Sequence, residues 1–235
     1  VTDGRGGSDT LTVNIGVTPV NDAPEANPGS AAAIEDGAVI TGQLTATDVD
    51  TGDTQAYSVR TGTTAPAGFT LNTNGSWSFD PSNAAYQSLA AGEKQTLSIQ
   101  FTVTDSGGLT SNNTLTIVVT GVNDAPTVTS SVAVTTDEDQ SGFTVDLLTQ
   151  AGASDADNGD SISAQNITQV GTEDASGVTI NSNGTLSVNP NAYNYLSVGE
   201  SITLTYSYNV VDSNGASVPN TATLTINGVN DAPVV

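Results

Sequence analysis

The chain has 235 residues, of which 25 are acidic and 3 basic, for a formal net charge of -22. Such a charge is repelled at long range by nucleic acid and by anionic membrane surfaces, which makes both poor partners. With no Cys and no His there are no disulfides, no ordinary zinc site and no Ser-His-Asp triad, and Arg5, Arg60 and Lys94 are too few for a phosphate pocket.

A catalytic carboxylate pair would want an aromatic-lined cleft. One Trp, six Tyr and four Phe do not suggest one, so the chain reads as a non-enzyme. No run of about 18 apolar residues and no charged-then-apolar N-terminus appears.

From the N-terminus, Val13, Ile15 and Val17 alternate with polar residues and read as the closing strand of an earlier repeat, placed at residues 1–20. The turn-forming stretch VNDAP, Val20 to Pro24, introduces a unit spanning 21–121. Early in it, IEDG carries Glu35 and Asp36, and TATDVDTGD carries Asp48-x-Asp50 followed by Asp53. LNTNGSWSFD reads as a hairpin, with Asn74-Gly75 supplying the positive φ angles of a tight turn. After Glu93, Leu97, Ile99, Phe101 and Val103 alternate with polar residues; beyond Asp105, so do Leu115, Ile117 and Val119. Period two means one buried face and one wet face.

VNDAP returns at Val122 to Pro126, and the unit 122–228 repeats the order. Glu138-Asp139, Asp155-x-Asp157 with Asp160, and the Asn183-Gly184 turn reappear in register, as do Glu200 and Asp212. The strands answer with Leu204, Tyr206, Tyr208 and Val210, then Ala222, Leu224 and Ile226. A third VNDAP, Val229 to Pro233, begins the next linker at 229–235. Asn21, Asn123 and Asn230 stand 102 and 107 positions apart, and Asp3, Asp105 and Asp212 each lie 18 before their Asn. A fixed period means repeated units. Short strands, Gly/Asn/Asp turns and no 3.6 period make each unit all-β, an Ig-like sandwich. Trp77, alternating with Phe79, reads as core, while Asp146, Glu173 and Asp174 have no counterparts and read as solvated surface.

Two carboxylates at i and i+2 on a loop can converge on one hard cation, and Ca²⁺ accepts six to eight oxygens in flexible geometry. Neither DVDTGDTQ nor DADNGDSI has the Gly or the Glu of an EF-hand loop, so ligands must come from separate loops.

Taken together, IEDGAVITGQLTATDVDTGD, NTNGSWSFDPSNAAYQSLAAGE, FTVTDSGG and TLTIVVTGVNDAP resemble the cadherin-like and VCBS-type tandem repeats of large bacterial RTX adhesins. The resemblance covers nearly all of the first unit, and the second at its ends and from Asp155 onward; it departs in SGFTVDLLTQAG. It implies Greek-key, cadherin-like sandwiches arranged end to end, with Ca²⁺ at the junctions. By that resemblance the middle junction takes Glu35 and Glu93 from the first unit, Asn123 and Asp124 from the linker, and Asp155, Asp157 and Asp212 from the second. The first junction keeps Asn21, Asp22, Asp48, Asp50 and Asp105; the last keeps Glu138, Glu200, Asn230 and Asp231. Cadherin linkers carry a further acid two before the Asn and a second Asn after the Asp. Gly121 and Ala125 stand there instead, which implies fewer or weaker ions.

The implied function is that of extender repeats, exported by type I secretion to the bacterial cell surface. They would project a distal binding domain for adhesion or biofilm formation. Their partners would be neighbouring repeats of the same chain through Ca²⁺, with weak self-association open to an exposed edge strand. A competing reading makes one repeat a glycan or peptide binder, with Trp77, Tyr57 and Tyr86 as its aromatic platform.

Overall fold

The alternating runs become two sandwiches in the computed structural model, which describes residue 1 and residues 4–232. Asp3 and Pro233, which hold the repeat register in sequence, lie outside the described residues. The first unit comprises β1 (Glu25–Ala26), β2 (Gly29–Ile34), β3 (Ile40–Gln43), β4 (Ala46–Thr47), β5 (Ala56–Val59), β6 (Phe69–Leu71), β7 (Ser76–Phe79), β8 (Lys94–Thr104) and β9 (Thr110–Thr120). One sheet has the order β2-β9-β8-β5 and the other β3-β7-β6, while β1 pairs with β4. The second unit contains β10 (Val132–Asp137), β11 (Phe143–Asp146), helix α1 (Leu147–Ala151), β12 (Ser163–Val170), β13 (Val178–Ile180), β14 (Thr185–Val188), β15 (Ser201–Val211) and β16 (Ser217–Asn227). Its sheets, β10-β16-β15-β12 and β11-β14-β13, repeat the arrangement.

The inward residues of the alternating strands are the cores. Ile99, Phe101 and Val103 of β8, and Leu204, Tyr206, Tyr208 and Val210 of β15, are all buried. Trp77, Tyr57 and Tyr86 are 6 %, 6 % and 2 % exposed and pack in the first core. They offer no aromatic platform to a glycan.

One pairing sets the architecture. β2 runs parallel to β9, with Ile34 opposite Thr120, and β10 runs parallel to β16. A first and last strand that run the same way bring the chain in at one pole and out at the other. The units therefore follow end to end, and the acids beyond each strand gather at one pole or the other.

Three local expectations change. Residues 10–24 form no strand, and Val13, Ile15 and Val17 are 70 %, 83 % and 86 % exposed. A strand needs a ladder partner, and the described residues supply none there, whereas β9 has β8 and β2 on its two sides. Each tight turn uses a single positive φ, at Gly75 (83°) and Gly184 (80°), the Asn before it not sharing it. Gly75 N–H donates to the Asn72 carbonyl and Asn72 N–H to the Ser76 carbonyl, the pattern of a type I turn closed by a left-handed Gly. The divergent SGFTVDLLTQAG stretch contains α1, and Asp146, exposed as expected of surface, is in addition its N-cap. Its Oδ1 accepts the Leu148 and Thr149 N–H groups, and those bonds with the Thr149 hydroxyl hold its carboxyl below the usual range.

The second core holds one unpaired group. Tyr206, 2 % exposed, has a buried hydroxyl with no hydrogen-bond partner, and burial followed by the neighbouring Tyr193 pushes its pKa up to about 12. An unsatisfied buried hydroxyl costs about 1–3 kcal/mol. Tyr206→Phe is therefore expected to stabilise the second unit by about 1 kcal/mol; a lower denaturant midpoint than wild type would refute this.

Candidate metal centre

The parallel pairing places Glu35 at the exit pole of the first unit, where its N–H donates to the Thr120 carbonyl at 2.9 Å. Its carboxylate is 1 % exposed and accepts the Val122 N–H through Oε2 at 3.1 Å. At the entry pole of the second unit, just past β15, Asp212 Oδ1 accepts the Asn214 and Ala216 N–H groups. Its Oδ2 accepts the Asn123 side-chain amide at 2.9 Å. In the Asp-x-Asp loop, Asp157 N–H donates to Asp155 Oδ1 at 3.0 Å, and Asp157 Oδ2 accepts the Asp124 N–H at 2.9 Å. Asn158 N–H reaches the Ser88 carbonyl of the first unit at 3.0 Å, a direct bond between units that no sequence motif announces.

These bonds consume the local donors and leave acceptors over. Glu35 Oε1, Asn123 Oδ1, Asp124 Oδ2, Asp155 Oδ2 and Asp157 Oδ1 are buried without a partner. All five belong to the middle junction. Carboxylate and amide oxygens only accept, so a proton or a cation is what would satisfy them. Divalent calcium, which takes several oxygens from flexible loops, fits this donor set; an imidazole- or thiolate-preferring metal does not.

The charges oppose one another. Burial, together with the charges of Asp36, Asp157 and Asp155, holds the Asp124 carboxyl above its ordinary range. Burial raises Glu35 too; the Val122 N–H pulls it back, and Asp124, Asp36 and Asp157 add to the rise. Asp157 is raised by burial, against the Asp124 N–H, with Asp155, Asp160 and Asp212 contributing. Asp212 is lowered, first by the Asn123 amide.

A carboxyl whose folded pKa is raised binds more protons folded than unfolded, so stability falls as pH rises through that window. In chelator, with Glu35, Asp124 and Asp157 raised, melting temperature is expected to climb as pH drops from about 7 toward about 5. Near or below their ordinary values the lowered Asp212, Asp53 and Asp146 reverse the trend. Saturating calcium should flatten the slope between about 5 and 7, and a chelator curve already flat there would refute the repulsion.

The first junction repeats the linker's half of this geometry. Asn21 Nδ2 donates to Asp105 Oδ2 at 3.0 Å, Asp22 N–H to Asp50 Oδ2 at 2.8 Å, and Asp50 N–H to Asp48 Oδ1 at 2.9 Å. At the last junction Glu138, fully buried, has both oxygens occupied, by the Val229 and Leu196 N–H groups. Asn230 donates to the carbonyl of Asp231.

Glu93 and Glu200 do not join these groups. Both are exposed, and their carboxylates cap local turns by accepting the Ala90 and Ser197 N–H groups. Three acids outside the expected ligand set do approach. Asp36 sits in the left-handed region at φ 58°, accepts the Gln87 amide, and lies near enough to raise Asp124. Asp53 and Asp160 stand with Asp48 and Asp105, and with Asp155 and Asp212, in clusters whose ligand oxygens lie within 4.8 Å of one another. All three occur in matched pairs along the sequence, as Asp36/Asp139 and Asp53/Asp160. Gly121 is also explained: a Cβ there would meet the Leu89 and Ala90 carbonyl oxygens at 2.4 Å, so no acid fits that linker position.

Residues 21–121 match the model of a bacterial cadherin-like domain, and residues 122–227 that of a cadherin-like domain. Among solved structures, the chain is similar to human mucin-like protocadherin EC1-2, with a TM-score of 0.54 at 21% identity, covering 88% of this chain and 98% of that one. It is similar to human CDH23 EC21-23, with a TM-score of 0.52 at 18% identity, covering 89% and 71%. The human desmocollin-1 ectodomain gives a TM-score of 0.49 at 16% identity, covering 89% of this chain, which spans 41% of that one. No curated protein matches in sequence.

Proposed function

Residues 21–121 and 122–227 are cadherin-like domains in tandem, and from that premise we propose that the chain is a calcium-stiffened spacer within an extracellular bacterial adhesin. The observation that carries this is the set of five buried, partnerless acceptor oxygens, contributed by the first domain, the linker and the second domain. Glu35, Asp36, Asn123, Asp124, Asp155, Asp157 and Asp212 are the residues that would hold calcium there. Bound calcium supplies positive charge that turns mutual repulsion into shared attachment. The chain's own part is to present the oxygens. The linker N–H groups orient Glu35 and Asp157, the Asn123 amide orients Asp212, and Pro126, buried beside them, restricts the exit of the linker.

Extracellular modules commonly bind calcium with Kd of about 10⁻⁴–10⁻³ M, so the repeats would stay metal-free until export. The bacterial family description, with the sequence resemblance, supports a place in a large RTX-type adhesin exported by type I secretion. The spacer would project a distal domain for adhesion or biofilm formation. No helix among the described residues is long and apolar enough to cross a membrane. Calcium titration followed by melting temperature and small-angle scattering tests the reading; neither changing would overturn it.

A further inference from the structure

We propose that Asn158-Gly159 is a site of spontaneous deamidation, and that its conversion loosens the joint between the two domains. The loosening, which rests on the calcium reading, comes from a changed backbone inside the loop that carries Asp157.

The chain holds five Asn-Gly pairs, at 74–75, 158–159, 183–184, 214–215 and 227–228. A Gly after the Asn leaves its nitrogen unshielded by any Cβ, so the backbone can approach the side chain closely. Deamidation needs that nitrogen free to attack the Asn Cγ, and at four of the pairs one or both groups are occupied. Asn74 Oδ1 accepts the Ser76 N–H and hydroxyl, while Gly75 N–H donates to the Asn72 carbonyl. Asn183 Oδ1 accepts the Thr185 hydroxyl, and Gly184 N–H donates to the Asn181 carbonyl. The Asn214 amide donates to Asp160 Oδ2 at 2.9 Å, and Gly228 N–H donates to the Glu200 carbonyl. Asn158 and Gly159 are both exposed. Neither the Asn158 side chain nor the Gly159 N–H has a hydrogen-bond partner among the described residues. Gly159 lies at φ 83°, with nothing within 4 Å of where a Cβ would stand.

In the reaction the Gly159 nitrogen bonds to Asn158 Cγ as its proton passes to water, the Cγ–Nδ2 bond breaks and ammonia leaves. Water then opens the cyclic imide, at one carbonyl to aspartate and at the other to isoaspartate. Isoaspartate adds its Cβ methylene to the chain path between Asp157 and Asp160, where three bonds depend on the backbone. Asp160 N–H closes the turn on the Asp157 carbonyl at 3.3 Å, and Asn158 N–H reaches the Ser88 carbonyl of the first domain at 3.0 Å. Asp157 Oδ2 holds the Asp124 N–H of the linker at 2.9 Å. The aspartate product leaves the path unchanged and adds a like charge beside Asp157 and Asp160. The first domain makes the same turn without this lability. Asp53 N–H donates to the Asp50 carbonyl at 3.3 Å, and Thr51-Gly52 stands between them, with no amide to lose.

The test ages the 235-residue chain in chelator at mildly alkaline pH and follows each Asn-Gly pair by peptide mapping with isoaspartate detection. Asn158 should convert several-fold faster than Asn74, Asn183, Asn214 and Asn227; conversion no faster than theirs would overturn the site. Small-angle scattering in saturating calcium then compares aged with fresh chain. The converted chain should lose most of the calcium-dependent change in maximum dimension. Asn158→Thr, which copies Thr51, should melt in chelator like wild type, show no conversion at that position and keep its scattering response on ageing. A converted wild-type chain that scatters like the fresh one would overturn the loosening, and so would an equal loss in aged Asn158→Thr. A fresh chain indifferent to calcium would overturn the calcium reading and the loosening with it, while the conversion rates in chelator would still decide the site.

Discussion

In saturating calcium the chain is expected to melt well above its temperature in chelator, and its maximum dimension to become larger and more sharply defined. At about a hundred times Kd, one site linked to folding adds about 2.7 kcal/mol. For a domain of this size that corresponds to a rise on the order of 10 °C. The gain should be visible because the metal-free junction starts from a deficit. Glu35, Asp124 and Asp157 are held above their ordinary ranges by burial and by one another, and five oxygens have no donor. Scattering should respond because Glu35 belongs to one domain and Asp157 to the next. Without a shared cation, what joins them is the linker, its hydrogen bonds and the Asn158–Ser88 contact. Magnesium at the same concentration should do much less, since it demands near-octahedral geometry that loops from two domains do not readily supply. Equal melting temperatures and superimposable scattering with and without calcium would refute the spacer.

The double variant Asp155→Asn, Asp157→Asn should reverse in sign between the two conditions. In chelator it should melt at or above wild type. Each Asn keeps one oxygen for the N–H it already accepts, from Asp157 at 3.0 Å and from Asp124 at 2.9 Å. Each also exchanges a partnerless oxygen for an amide that can donate to nearby carboxylates, and two like charges disappear. In saturating calcium the same variant should fall below wild type by about the 2.7 kcal/mol of a lost site, and its interdomain angle should stay broad. Both sandwiches should remain folded, because neither residue belongs to a hydrophobic core. Destabilisation in chelator as large as in calcium would show that these aspartates hold the loop by themselves and that the metal adds nothing.

How much of this the sequence disclosed depended on how locally each feature is determined. A half-buried strand writes its two faces into alternate residues, so β8, β9, β15 and β16 were legible from Leu97 to Val119 and from Leu204 to Ile226. A turn needing a left-handed residue shows its Gly, so Gly75 and Gly184 marked both hairpins, though not the single positive φ that each uses. Helix α1 was hidden because its 5 residues are too few to display a 3.6 period. The capping role of Asp146, which is exposed as the sequence suggests, was hidden with it.

The acids divide in the same way. Repetition at a fixed spacing picked out Glu35, the linker Asn-Asp pairs, the Asp-x-Asp loops, Asp105 and Asp212, because that information lies along the chain. Spacing alone could not separate Glu93 and Glu200, which cap turns, from Asp53 and Asp160, which close clusters. All four recur in register, and only the fold says which carboxylates point inward. The sequence by itself thus determined the number of domains, their all-β character and the inventory of oxygens. The parallel pairing of first and last strands decided the rest. It sends the chain in at one pole and out at the other, and so brings the acids of two domains onto one linker.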